Sequence, residues 1–102
     1  MHISYTLRGS SATAYLKGEL DHHSAQQARK ELDTLLRDPA IRNLRLELSE
    51  LTFMDSSGIG MILGRYKKIR DRGGRLTVAG TQPAVDRVLQ LSGIYQLMDK
   101  EG

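Results

Sequence analysis

Apolar residues in this chain recur at every second position in some stretches and at every third or fourth in others, and the two patterns take turns. Ile3, Tyr5 and Leu7 alternate with polar neighbours, as do Ala12, Ala14 and Leu16, with Gly9-Ser10-Ser11 as a turn signal between them. That pattern predicts two short strands in a hairpin. Ala25, Ala28, Leu32, Leu35 and Leu36 then recur at helical spacing, and Pro39 closes the first helix. Leu44, Leu46 and Leu48 return to alternation and give a third strand. After Asp55-Ser56-Ser57-Gly58 the period lengthens again, placing Ile59, Ile62, Leu63, Tyr66 and Ile69 on one helical face. Asp71-Arg72-Gly73-Gly74 ends that helix, with glycine as its left-handed cap. Leu76 and Val78 belong to a fourth strand. Thr81-Gln82-Pro83 opens a third helix with Val85, Val88 and Leu89 inward, and Ser92-Gly93 stops it. Residues 94–98 are expected to form a short last strand.

The expected order is ββαβαβαβ. Strands separated by single helices pair in parallel through right-handed crossovers, so the fold class is α/β, with one mixed sheet and helices packed on it. A chain of 102 residues suffices for one domain, expected to span 1–102. Binding groups in such folds gather on the loops after strand ends and at helix starts. Two segments qualify: Asp55-Ser56-Ser57-Gly58, and the expected loop Gly18-Glu19-Leu20-Asp21-His22-His23. Ser24 and Gln27, three residues apart, would form the capping box of the first helix.

Composition removes several functions. With no cysteine, disulfides, iron–sulfur clusters and thiolate zinc sites are excluded. His22 and His23 are adjacent and diverge, and His2 lies at the terminus, so no metal site is expected. The net charge of +3 is weak, and four tyrosines, one phenylalanine and no tryptophan make no stacking platform, so no nucleic-acid partner is expected. No apolar run reaches the length of a membrane span, and Met1-His2-Ile3-Ser4 lacks the apolar stretch of a signal peptide. The expected setting is cytoplasmic.

Asp55-Ser56-Ser57-Gly58 carries the most information about chemistry. One serine at a helix start serves to cap unpaired amides, a role that falls to Ser57. Ser56 is then a second hydroxyl at the surface, and Gly58 removes bulk so that another chain can approach. A phosphate on Ser56 would add a near-dianion that a docked partner would have to desolvate or expel. A hydrolase nucleophile elbow needs glycine two residues before the serine; Met54 and Asp55 stand there instead. Gly58, Gly60 and Gly64 resemble a dinucleotide fingerprint, but the third glycine comes one residue late and no acidic residue ends the next strand. Gly60 and Gly64 instead share a helical face suited to close packing. Arg65, Lys67, Lys68, Arg70, Arg72 and Arg75 are expected to form a solvated basic face, with steering of an acidic partner as the alternative. Glu19 and Asp21 are either a solvated acidic loop, with Asp21 aiding the helix start, or a contact for an arginine on a partner.

The phrase Gly18-Glu19-Leu20-Asp21-His22-His23, followed by residues 53–66 (Phe-Met-Asp-Ser-Ser-Gly-Ile-Gly-Met-Ile-Leu-Gly-Arg-Tyr), closely resembles the bacterial anti-sigma factor antagonists of the STAS domain family, nearest to those of the sporulation sigma F pathway. Gly73-Gly74, residues 81–85 and Leu91-Ser92-Gly93-Ile94 extend the likeness. The resemblance implies a partner switch and no catalysis by this chain. The unphosphorylated form would bind an anti-sigma factor that is a serine kinase, releasing the sigma factor. The kinase would spend its own ATP to phosphorylate Ser56, so no cofactor belongs to this chain, and a serine phosphatase would reset it. Glu19 and Asp21 match the acidic loop presented to the kinase, and Asp55, Ser57 and Gly58 shape the modified segment. A monomer is expected, lacking the helix that usually follows the last strand. The alternatives are an antagonist in a general stress pathway, a nucleotide-binding or hydrolytic enzyme, and an interaction module that is never modified.

Overall fold

The computed structural model describes residues 1–101. The elements are β1 (His2–Arg8), β2 (Ser11–Leu20), α1 (His22–Leu35), β3 (Asn43–Met54), α2 (Ser56–Asp71), β4 (Leu76–Ala79), α3 (Pro83–Ser92), one 3-10 turn (Ile94–Gln96) and β5 (Asp99–Glu101). They form one five-stranded sheet in the order β1-β2-β3-β4-β5. β1 and β2 are antiparallel; the other three pairs are parallel. The expected mixed α/β sheet is therefore present.

Each parallel connection advances in the same direction across the sheet, and right-handed crossovers of that kind send their helices to one face. The burial pattern agrees. Ala12, Ala14 and Leu16 of β2 and Leu44, Leu46 and Leu48 of β3 are buried, whereas Tyr15, Lys17, Arg45 and Glu47 between them stay exposed or half-exposed. α1 lays Ala25, Ala28, Leu32 and Leu35 against that face beside α2, and Val85 and Leu89 of α3 join the same core. Fully burying one such leucine is worth about 1.5–3 kcal/mol, so the buried leucines of β3 and α1 contribute strongly to the packing of this face.

Four expectations change. β3 runs six residues past Leu48, because two bulges each place one extra β3 residue opposite β2, between Tyr15 and Lys17 and between Gly18 and Glu19. The inward residues Leu48, Leu51 and Met54 are consequently three apart, which hides the strand from a period-two pattern. β2 continues through Glu19 and Leu20, and α1 begins at His22, so the expected loop is a strand end followed directly by a helix. The residues expected as a last strand form the 3-10 turn, and β5 follows it. Gly60 and Gly64 pack against nothing, since a Cβ at either would have open space.

The basic run also divides. The Arg65 side chain is only 8% exposed and lies 3.1 Å from Asp33. Arg72 is turned inward and donates to the carbonyls of Leu36, Asp38 and Ile41, tying the α1–β3 connection to the end of α2. Lys67, Lys68, Arg70 and Arg75 remain exposed. Gly73, at φ +74°, caps α2 as expected.

Candidate functional site

Because β2 and β3 are parallel, both deliver their C-terminal ends to one edge of the sheet. The register pairs Glu19 with Phe53 and Leu20 with Met54. The next residue on each strand is an aspartate, and each aspartate caps the helix that follows. The Asp55 amide donates across to the Leu20 carbonyl at 3.3 Å, holding the two helix starts side by side.

Asp21 caps α1 through a full capping box. Its carboxylate accepts from the Ser24 amide, and the Ser24 hydroxyl accepts from the Asp21 amide, both at 2.9 Å. The Ser24 hydroxyl donates to the Glu19 carbonyl at 2.6 Å, which ties the strand end to the cap. The box is thus Asp21 with Ser24, not Ser24 with Gln27. Gln27 instead donates to Glu31 and to the Met1 carbonyl. The Ser24 amide, and then its hydroxyl, hold the Asp21 carboxyl below the usual carboxylate range, with burial opposing them.

Asp55 caps α2 in the same way, accepting from the Ser57 amide at 2.8 Å. The capping side chain expected of Ser57 is therefore supplied by Asp55, and Ser57 contributes its backbone. Ser56 is the first residue of α2 and is exposed; among the described residues no hydrogen bond engages its hydroxyl. Ser57 is half-buried, and Gly58 is buried. A Cβ on Gly58 would lie 2.7 Å from Met54 Cγ and 2.9 Å from Leu20 Cδ2. The space that glycine leaves is filled from within the chain, by the last residues of β2 and β3, rather than held open for another molecule. Gly58 thereby fixes how closely α2, and Ser56 at its tip, sits on the strand ends.

Glu19 is exposed, and Asp21 is half-buried in its cap. Phe53, the register neighbour of Glu19, is 44% exposed and was missed as a surface residue. Its signal was available in principle: with Leu51 and Met54 inward, Phe53 must point away. Two helix N-termini share this edge, and their amides favour negative charge. Neither the Ser56 nor the Ser57 hydroxyl has a hydrogen-bond partner among the described residues, and of the two Ser56 is the exposed one. A phosphate there would be favoured by the helix amides and opposed by Asp55. His22 and His23 lie exposed in the first turn of α1. Among the described residues, no three histidine, aspartate or glutamate side chains gather as a metal site, and no helix is long and apolar enough to cross a membrane.

This architecture has close relatives. The anti-sigma F factor antagonist of Paenibacillus polymyxa is 43% identical over 83 residues, covering 81% of this chain and 71% of that protein. The anti-sigma-B factor antagonist of Bacillus subtilis is 30% identical over 84 residues, covering 82% and 75%. The solved anti-sigma factor antagonist SpoIIAA in its unphosphorylated form superposes with a TM-score of 0.85 at 30% identity, over 99% of this chain and 89% of that one. Its phosphorylated form, from Bacillus, gives 0.77 at 29% identity, over 99% and 92%. The names these relatives carry describe regulators, not enzymes. The family model of the STAS domain matches residues 5–100, which takes in every helix and all but the outermost residues of the sheet. The chain belongs to the STAS domain family, alongside proteins named anti-sigma factor antagonists.

Proposed function

We propose that this chain antagonises an anti-sigma factor, and that phosphorylation of Ser56 ends the complex. The observation that carries the proposal is the exposed, unengaged Ser56 hydroxyl at the first position of α2, on an edge where a backbone hydrogen bond sets two helix starts side by side. A relative solved in both unphosphorylated and phosphorylated forms supports the same chemistry.

The unmodified edge, with Glu19, Asp21, Phe53, Asp55 and Ser57 around Ser56 and with Gly58 setting its height, docks an anti-sigma factor that is also a serine kinase. Docking releases the sigma factor. The kinase brings ATP and transfers its γ-phosphoryl group to the Ser56 oxygen, leaving ADP and displacing the hydroxyl proton. The phosphate adds a charge of about −1.5 to −2. The N-terminus of α2 stabilises it by about 0.3–1 kcal/mol in the free chain. Within a closely fitted contact, an unpaired charge costs about 3–5 kcal/mol, so the complex separates. A serine phosphatase restores the hydroxyl. The higher identity to the sigma F antagonist than to the sigma-B antagonist favours the sporulation factor over the stress factor.

Pull-down against sigma F and sigma B anti-sigma factors tests this. Ser56→Ala is expected to retain the sigma F kinase in the presence of ATP, and Ser56→Asp to lose it. Equal retention of both variants would refute the switch, and preference for the sigma B kinase would reassign the pathway.

A further inference from the structure

Between α1 and α2 lies a cleft of about 390 Å³, lined among others by His22, Gln26, Arg29, Ser57, Gly60 and Arg65. No carboxylate lines it. Its floor holds an unusual group. The Arg65 side chain is more than nine-tenths buried, yet its Nε and Nη1 have no hydrogen-bond partner among the described residues. Buried guanidinium donors are normally satisfied; here Nε meets only Asp33 Oδ1, in an ion pair that makes no hydrogen bond, and Nη1 has no acceptor among the described residues.

The charges around the cleft are unbalanced. Asp33 Oδ1 sits 3.1 Å from Arg65 Nε, but the same oxygen is 2.7 Å from Lys68 Nζ. One carboxylate thus serves two cations. Arg29 adds a third: it is exposed and close enough to act on the Arg65 guanidinium, which burial already drives toward lower pKa and which Asp33 supports. Gly60 leaves open space over the first turns of α2, where a Cβ would touch nothing.

We propose that this cleft binds a small phosphate-type anion, with Arg65 as its buried anchor and Arg29 closing over it from α1. Guanidinium groups match the geometry of phosphate oxygens through paired donors, and two of them answer a dianion better than one. The cleft is wide enough for a phosphate monoester, whose organic part would rest on Ala25 and Met61. Ser56 does not line the cleft, although its neighbour Ser57 does, so the anion is distinct from a phosphate on Ser56 and is read in a chain that cannot be phosphorylated there.

Amide NMR of the full chain, titrated at constant ionic strength with inorganic phosphate and in parallel with phenyl phosphate, tests the proposal. Saturable shifts are expected at Gln26, Ser57 and Gly60, unchanged in a Ser56→Ala chain. Arg29→Gln, an exposed substitution that leaves the core intact, is expected to weaken binding at least about fivefold. Arg65→Gln should weaken it further. Tighter binding of phenyl phosphate would identify a monoester as the ligand, and tighter inorganic phosphate the free anion. Shifts that fail to saturate with either probe, or an Arg29→Gln titration equal to the parent's, would overturn the site.

Discussion

Replacing Gly58 with alanine separates two roles for the glycine that faces the strand ends. In the first, the space serves internal packing; in the second, it serves a partner. The added Cβ would come within 2.7 Å of Met54 Cγ and 2.9 Å of Leu20 Cδ2. Neither neighbour can yield cheaply, because Leu20 is 0% exposed and Met54 3%, and the Met54 atom lies mid-chain rather than at a flexible tip. Overpacking of this kind costs about 1–3 kcal/mol. Alanine regains up to about 1 kcal/mol over glycine in a helix. With two sub-van-der-Waals contacts the cost sits in the upper part of its range, so the net loss is about 1–2 kcal/mol. For a domain of this size each kcal/mol lowers Tm by roughly 4–8 °C. Urea unfolding followed by circular dichroism would show a lower midpoint with an unchanged slope. A Gly58→Ala chain as stable as the parent, or more stable, with weakened partner binding would refute the packing argument and return the space to the partner.

Substitutions at three further positions test the groups around the site and the cleft beside it. Asp55→Ala removes the α2 cap and is expected to cost about 0.5–2 kcal/mol in urea unfolding, while Asp55→Asn retains most of the stability. Asp21 is held ionised by the Ser24 amide, so its folded pKa lies below its unfolded one. Its stabilising contribution is present above the unfolded value of about 3.9 and is lost as pH falls through the folded value, so Asp21→Asn should flatten the acid side of a stability–pH curve measured from about pH 6 to 2. Asp33→Asn strands the buried Arg65 charge, and since Asp33 is partly solvated the expected loss is about 2 kcal/mol, below the range for a fully buried pair. Thermal unfolding would read that loss, and Asp33→Asn with parental stability would show Arg65 to be satisfied by water.

The alternation of Ala12, Ala14 and Leu16 in β2 and of Leu44, Leu46 and Leu48 in β3, with the helical spacing of α1, made the sheet and its crossovers legible from residues alone, since burial on one face enforces those periods. Bulges broke the signal in β3: an extra residue at each made Leu48, Leu51 and Met54 recur every third position, which matches neither a strand nor a full helix. The start of α1 moved because aspartate and serine both cap helices, and the local pattern alone could not show that Asp21, not Ser24, has the extended backbone of the capping residue. The same ambiguity assigned Asp55's cap to Ser57. Ser56 could be placed at a strand-to-helix junction, and the structure finds it exposed there. Arg65, three residues after Ile62 and four before Ile69, lies by spacing on the inward face of α2, but its charge placed it with the solvated basic run, because its partner Asp33 comes from another helix. Phe53 required the register of a strand segment the pattern did not reveal.

The switch is tested most directly by incubating the chain with the sigma F anti-sigma kinase and ATP, mapping the phosphate by mass spectrometry, and comparing the kinase affinity of both forms by calorimetry. The account predicts phosphate on Ser56 alone and an affinity lowered at least about a hundredfold, as a penalty of about 3 kcal/mol requires. Phosphate on Ser57, or a phosphorylated form that binds the kinase as tightly as the unmodified one, would contradict it.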